Sequence, residues 1–310
     1  MRKFIVSDLH GCGEVYDSII GYLENIALID DVTLYINGDL IDRGIDSYRM
    51  LEDVRTRIQG EGNITIQYLA GNHELMMYQE LIKRKPGKAF NHWSDWMMNG
   101  GWVIEGELDA LENGEEKCEE YKEFLGNLKI YHKFTEIIDG NQLLLVHAKA
   151  PKEICDDCHI KLSDNNREVK KAVWTREEIR DSLLFYAGKI IGYNRIGKEG
   201  YLTIIGHTPV KSKKGFKYKK KDNYLNIDGG CAAYATGHFE YNCVPMIEIE
   251  ENQLSIMIFN HNNEIIDGYI FDGNLKAMND NELNSKRIFI NHTYDDCEEK
   301  TKKLIKEILN

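Results

Sequence analysis

Three times before residue 75 the chain repeats one pattern: a short β-branched apolar run, a cluster of Asp, His, Asn and Gly, then a helical periodicity. The runs are Lys3 to Ser7 (KFIVS), Val32 to Asn37 (VTLYIN) and Asn63 to Ala70 (NITIQYLA). Alternation of strand and helix predicts βαβ units, because a parallel neighbour is reached only through a crossover. Strands of a parallel sheet all point one way, so polar clusters at their carboxyl ends meet at one edge. One repeat thus constrains both the fold and the place where chemistry can occur.

From about Lys85 to His132 the pattern becomes helical and then strongly acidic, with nine carboxylates among the nineteen residues Glu105 to Glu123. This segment reads as an insertion that caps the sheet. Strand-like runs return at Gln142 to Val146, Leu202 to Ile205, Tyr224 to Ile227, Met246 to Glu250 and Leu254 to Phe259. The later ones follow closely enough for antiparallel hairpins, which predicts two sheets packed face to face. The expected fold is an α/β sandwich of two mixed sheets flanked by helices. One domain would span 1–280 with the cap inside it, followed by a polar tail, 281–310, with a short helix pattern (CEEKTKKLIKEIL).

The chain carries 51 acidic and 39 basic side chains, a net charge of −12, which argues against a nucleic-acid polymer or an anionic membrane as partner. No apolar run approaches the roughly 20 residues needed to span a bilayer. The start, MRKFIVSDLH, reaches an acidic residue before a signal-peptide core forms, so a cytoplasmic location is expected. Seven cysteines, an odd and sparse set, favour free thiols. No cysteine is followed six positions later by arginine, there is no GxSxG elbow, and no GxxxxGK continues with Ser or Thr. Cysteine-nucleophile phosphatases, the usual α/β-hydrolases and P-loop NTPases are therefore unsupported.

The strand ends supply, in order, Asp8 and His10 (SDLHG), Asp39, Asp42 and Arg43 (GDLIDRG), Asn72 and His73 (GNHE), His147 (LLVHA) and His207 (GHTP). Two Asp, one Asn and three His form a mixed nitrogen and oxygen donor set. Such a set suits Mn²⁺, Fe²⁺ or Zn²⁺ better than Ca²⁺, which prefers an all-oxygen cage. Six donors exceed what one tetrahedral metal needs, so two divalent ions are inferred, with Asp39 on the central strand as their natural bridge.

This ordered set resembles the calcineurin-like metallophosphoesterases, and Asp42-Arg43-Gly44 narrows the resemblance to the phosphoprotein phosphatase branch. Within it the chain is most similar to the small bacterial and bacteriophage enzymes of the lambda type, which also carry a tryptophan-x-arginine-glutamate element, here Trp174-Thr175-Arg176-Glu177. The similarity covers about Met1 to Gly230 through separated motifs. Lys149 departs from it, since many relatives continue His-Ala with glycine; that bears on substrate choice.

The resemblance implies that Asp8, His10 and Asp39 hold one metal, and Asp39, Asn72, His147 and His207 the other, with Mn²⁺ expected. His73 would act as general acid, Asp42 would orient its imidazole and raise its pKa, and Arg43 and Arg176 would hold phosphate oxygens. Serine/threonine phosphoprotein dephosphorylation is the first expectation. A symmetrical dinucleoside tetraphosphate hydrolase is the alternative enzyme, and a metal-bound scaffold without catalysis a third reading, which the complete set of groups argues against.

Three further features read as structural. Cys155-Asp-Asp-Cys158-His159 has the spacing of half a zinc or haem motif, but no second pair follows, so a surface turn with free thiols is expected. Lys211 to Lys221 holds seven lysines and reads as a solvated hairpin beside the GHTP loop, with steering of anions as its functional alternative. Trp93 to Trp102 reads as the core of the cap.

Overall fold

The computed structural model describes residues 1–60, 62–176, 196–210, 214–232, 243–260, 262 and 264–288. The three initial runs become β1 (Arg2–Val6), β2 (Val32–Asn37) and β3 (Ile64–Leu69). They alternate with helices α1 (Gly13–Ala27), α2 (Ser47–Ile58) and α3 (Asn72–Lys83). After a π-turn at Met97–Gly101 come α4 (Trp102–Ala110), α5 (Gly114–Gly126), β4 (Tyr131–Ile138), β5 (Asn141–Val146), α6 (Arg167–Trp174) and β6 (Tyr201–Ile205). The remaining elements are β7 (Lys217–Lys219), β8 (Tyr224–Asn226), β9 (Val244–Ile249), β10 (Leu254–Phe259), β11 (Ile265–Phe271), β12 (Leu275–Ala277) and α7 (Asp280–Arg287).

Two mixed sheets form, as expected. The first runs β12-β11-β10-β9-β1-β2-β3 and the second β4-β5-β6-β8-β7. Strands β1, β2 and β3 are mutually parallel, as are β5, β6 and β8, while β9 to β12 form the anticipated antiparallel run. Both faces of the central strands are covered, which explains why they read as continuous apolar runs. Ile5, Tyr35 and Ile247 point between the sheets to meet Leu143, Leu145, Ile204 and Leu225. Their neighbours Phe4, Leu34 and Ile36 point outward into a second core with Val15, Ile19, Met50 and Leu51 of the helices.

Several elements differ from the sequence expectation. Strand β4 begins at Tyr131, inside the segment assigned to the insertion, and pairs antiparallel with β5. Helix α5 packs against α3, and α4 against α2 and α5, so the insertion lies on the helical layer. The Trp/Met stretch is not uniformly core: Trp96 and Met97 are buried, whereas Trp93, Met98 and Trp102 are exposed. Cys158 is buried and Cys155 exposed, both as free thiols. The lysine run does form a hairpin where described, with β7 antiparallel to β8, and Lys214 lies over the Tyr269 ring. Lys211, Lys213, Glu177 and the expected C-terminal helix lie outside the described residues.

Candidate metal centre

The two parallel sets of strands point their carboxyl ends at one place, and every sequence-predicted donor follows one of them. Asp8 and His10 follow β1, Asp39 follows β2, Asn72 and His73 open α3 after β3, His147 follows β5 and His207 follows β6. All are buried. Asp8, His10, Asp39, Asp42, Arg43 and His207 adopt positive φ between 46° and 74°, a conformation costly for non-glycine residues and held here by the surrounding hydrogen bonds. His10 N–H donates to Asp39 C=O at 2.9 Å and Gly44 N–H to His10 C=O at 3.0 Å, so the loops after β1 and β2 brace one another.

Donor atoms of Asp39, His10 and His73 lie within 4.8 Å of one another, and so do those of Asp39, His147 and His207. Asp39 belongs to both groups. His10 Nδ1 bonds Ile41 C=O at 3.0 Å and His73 Nδ1 bonds Asp42 Oδ2 at 2.6 Å. Arg43 donates from Nη1 to His10 Nε2 at 3.0 Å and from Nη2 to His73 Nε2 at 3.1 Å. Both imidazoles therefore carry their proton on Nδ1 in this arrangement. The other oxygen of Asp42 accepts from Trp96 Nε1 at 2.9 Å, so a buried indole fixes the carboxylate that fixes His73.

In the second group His147 Nδ1 donates to Asn37 C=O at 2.8 Å and Nε2 lies 3.2 Å from Asn72 Oδ1. His207 Nε2 is buried with no hydrogen-bond partner, an orphaned donor-acceptor atom that a metal would satisfy. Asp8 accepts the His207 N–H at 3.0 and 3.1 Å, tying the end of β1 to the end of β6. Arg176 is exposed, and its charge acts on His207; the Trp174 ring meets the His207 ring edge-on at 6.0 Å between centroids. Lys149 is half-buried near Lys171 and Glu168 of α6.

Buried carboxylates and imidazoles shift one another's pKa values across the site. Burial and Asp228 push the Asp8 carboxyl well above its usual range, and burial raises Asp42 and lifts Asp228 to about 6. Burial would also raise Asp39, but the surrounding histidines outweigh it and hold that carboxyl well below its usual range. Burial and the facing His73 and Arg43 hold His10 well below 6.5, and burial with His147 takes His207 to about 3. His10 and His207 are thus neutral, with lone pairs available, whereas Asp39 outweighs burial at His147, 3.4 Å away, and raises it to about 10. Divalent cations fit this donor set.

Sequence reasoning missed three neighbours. Glu74 is fully buried and accepts from Asp39 N–H, Leu40 N–H, Gly71 N–H and Tyr68 OH at 2.9, 3.1, 2.7 and 2.6 Å. Its signal was available, as a glutamate three residues into a helix is a capping-box position. Asp228 follows β8 as the other acids follow their strands, so its place was legible too. Trp96 lies far from Asp42 in sequence and gave no such sign.

A family model for calcineurin-like phosphoesterases matches residues 1–261. The chain belongs to that family. The family depends on two metals, and in this calcineurin-like phosphoesterase the paired groups around Asp39 suit that requirement. A symmetrical bis(5'-nucleosyl)-tetraphosphatase from Salmonella paratyphi A is 31% identical over 90 residues. That match spans 28% of this phosphoesterase and 29% of the relative, under a third of either. A protein serine/threonine phosphatase from Saccharomyces cerevisiae superposes with a TM-score of 0.52 at 15% identity, over 84% of this chain and 80% of that one, a likeness of fold. A cold-active protein-tyrosine phosphatase of a psychrophilic Shewanella gives a TM-score of 0.45 at 14% identity, over 90% and 80%.

Proposed function

We propose that this calcineurin-like phosphoesterase dephosphorylates phosphoserine and phosphothreonine in proteins, with two Mn²⁺ ions. The observation that carries the catalytic part is Asp39, shared by one donor group with His10 and His73 and another with His147 and His207, with Asp42 and Arg43 bonded to His73. Asp8, His10 and Asp39 would hold one ion, and Asp39, Asn72, His147 and His207 the other. When bound, the ions supply an activated water and neutralise the phosphoryl oxygens.

The remaining work falls to side chains. Arg43 presents a planar fork whose two nitrogens now rest on imidazoles, and a dianionic phosphoryl group is the stronger acceptor for it. Moving the guanidinium to phosphate oxygens frees His73 Nε2. Burial opposes a charge on His73, but Asp39 and Asp42 outweigh burial and raise its pKa. Its protonated Nε2 would then donate to the departing alkoxide. Arg176 would grip the phosphate from the His207 side.

A second reading, symmetrical dinucleoside tetraphosphate hydrolysis, is favoured by the match to the Salmonella tetraphosphatase. The matched stretch is short, and substrate identity lives in loops that such a stretch need not include. The deciding test measures kcat/KM with Mn²⁺ on a phosphothreonine peptide and on diadenosine tetraphosphate side by side. Preference for the tetraphosphate by about 100-fold, about 2.7 kcal/mol at the transition state, would replace the first reading with the second.

A further inference from the structure

Besides the Trp96 bond to Asp42, the insertion reaches the site at Gly100. Arg43 N–H donates to Gly100 C=O at 3.3 Å, and Gly100 has φ +107°, with a Cβ there falling 2.8 Å from Arg43 N. Only glycine lets the insertion backbone sit on the loop that carries the phosphate-facing arginine. Three large apolar side chains close to this contact along the chain face solvent: Ile45 is 82%, Met98 71% and Trp102 59% exposed. Each lies two residues from Arg43 or Gly100, hence with its Cα within about 8 Å of one of them. A single exposed apolar side chain needs no explanation, but three gathered at the rim of a reactive centre mark a contact surface.

The same edge is acidic. On α4, Glu105 and Asp109 stand three and seven residues after Trp102, which places all three on one helix face. A polyphosphate crossing this edge meets like charge, whereas a cationic side chain meets opposite charge. The apolar group beside Arg43 and the carboxylates beyond it together describe an extended peptide.

We propose that Ile45, Met98 and Trp102 receive an apolar residue adjacent to the phosphorylated one, and that Glu105 and Asp109 receive a Lys or Arg further along the same peptide. This rests on the phosphoprotein reading and names its substrate class. The apolar contact sets selectivity while the phosphoryl group is held elsewhere, so small aryl phosphates are insensitive to it.

The test compares phosphothreonine peptides carrying Leu or Gly on either side of the phosphoresidue, each with Arg or Glu three residues beyond, with para-nitrophenyl phosphate as the small substrate. The Leu/Arg peptide should exceed the Gly/Glu peptide in kcat/KM by on the order of tenfold or more. The Met98→Ser, Trp102→Ala double variant should lose most of that ratio and keep its rate on para-nitrophenyl phosphate within about twofold. A ratio that is flat in the wild-type protein, or retained in full by the variant, overturns the docking surface and leaves the phosphoprotein reading standing. Peptides left intact while diadenosine tetraphosphate is cleaved overturn the phosphoprotein reading, and this surface with it.

Discussion

Glu74 accepts three backbone N–H groups from the two loops that present Asp39 and Asn72, so one side chain sets the spacing between those loops. Glu74→Gln turns one acceptor oxygen into a donor facing an N–H, which should destabilise the metal-free protein by about 1–3 kcal/mol. Tyr68→Phe removes one donor and leaves three, and should cost about 1 kcal/mol. Urea unfolding of both variants checks the ranking, and equal losses would contradict it. His73→Asn should retain bound Mn²⁺ and lose on the order of 10²–10⁴ in turnover on phosphothreonine peptide. The loss on para-nitrophenyl phosphate should be smaller, since nitrophenolate leaves without a proton; equal losses would remove His73 from the acid role. At this scale the sequence was most informative where chemistry and backbone coincide, at polar residues ending apolar runs. It was silent on Trp96, whose bond to Asp42 depends on how an insertion folds back, a tertiary event without local periodicity.

Among the elements, β4 carries a built-in acid sensitivity. His132 packs against the rings of Tyr35 and Phe134, at 4.7 and 4.5 Å between centroids, and those two rings also touch at 4.8 Å. Burial, with Lys129 and Lys3 nearby, lowers its pKa to about 4 from 6.5. The unfolded chain therefore binds a proton that the folded chain refuses. The contribution is fully present above about pH 6.5 and falls away as pH drops toward about 4, by at most about 3 kcal/mol. His132→Phe should flatten that part of the profile, which urea midpoints at pH 7 and 4.5 would reveal; an unchanged difference between the two pH values would refute it. The strands that escaped the sequence reading share physical causes. β4 places Lys133 and Glu136 within its run, β11 is interrupted by Asp267-Gly268, and β7 and β12 are three residues long. β2 was plain because covering on both faces demands a long apolar run, and β3 because exposed Thr65 and Gln67 alternate with buried Ile64, Ile66 and Tyr68.

The whole molecule gathers Asp8, Asp39, Asp42 and Asp228 in its interior, so metal binding should feed directly into global stability. With free Mn²⁺ about 100-fold above Kd, linkage gives about 2.7 kcal/mol, a rise in Tm of roughly 5 °C for a chain of this size. Calorimetry with and without chelator measures it, and an equal rise in Asp39→Asn would place the binding elsewhere. The two-sheet architecture was legible from strand runs and hairpin spacing, whereas the seating of α4 and α5 on the helical layer followed from apolar faces that only assembly pairs. The order of strands has a last consequence, for the chain as it is made. β1 lies between β2 and β9, so during synthesis one edge of β1 waits for Val244–Ile249. At about 5–20 residues per second the nascent polypeptide carries that unpaired edge for roughly 12–50 s. Throughout that interval β1 presents an unpaired edge open to pairing with a foreign strand, until its own late segment arrives.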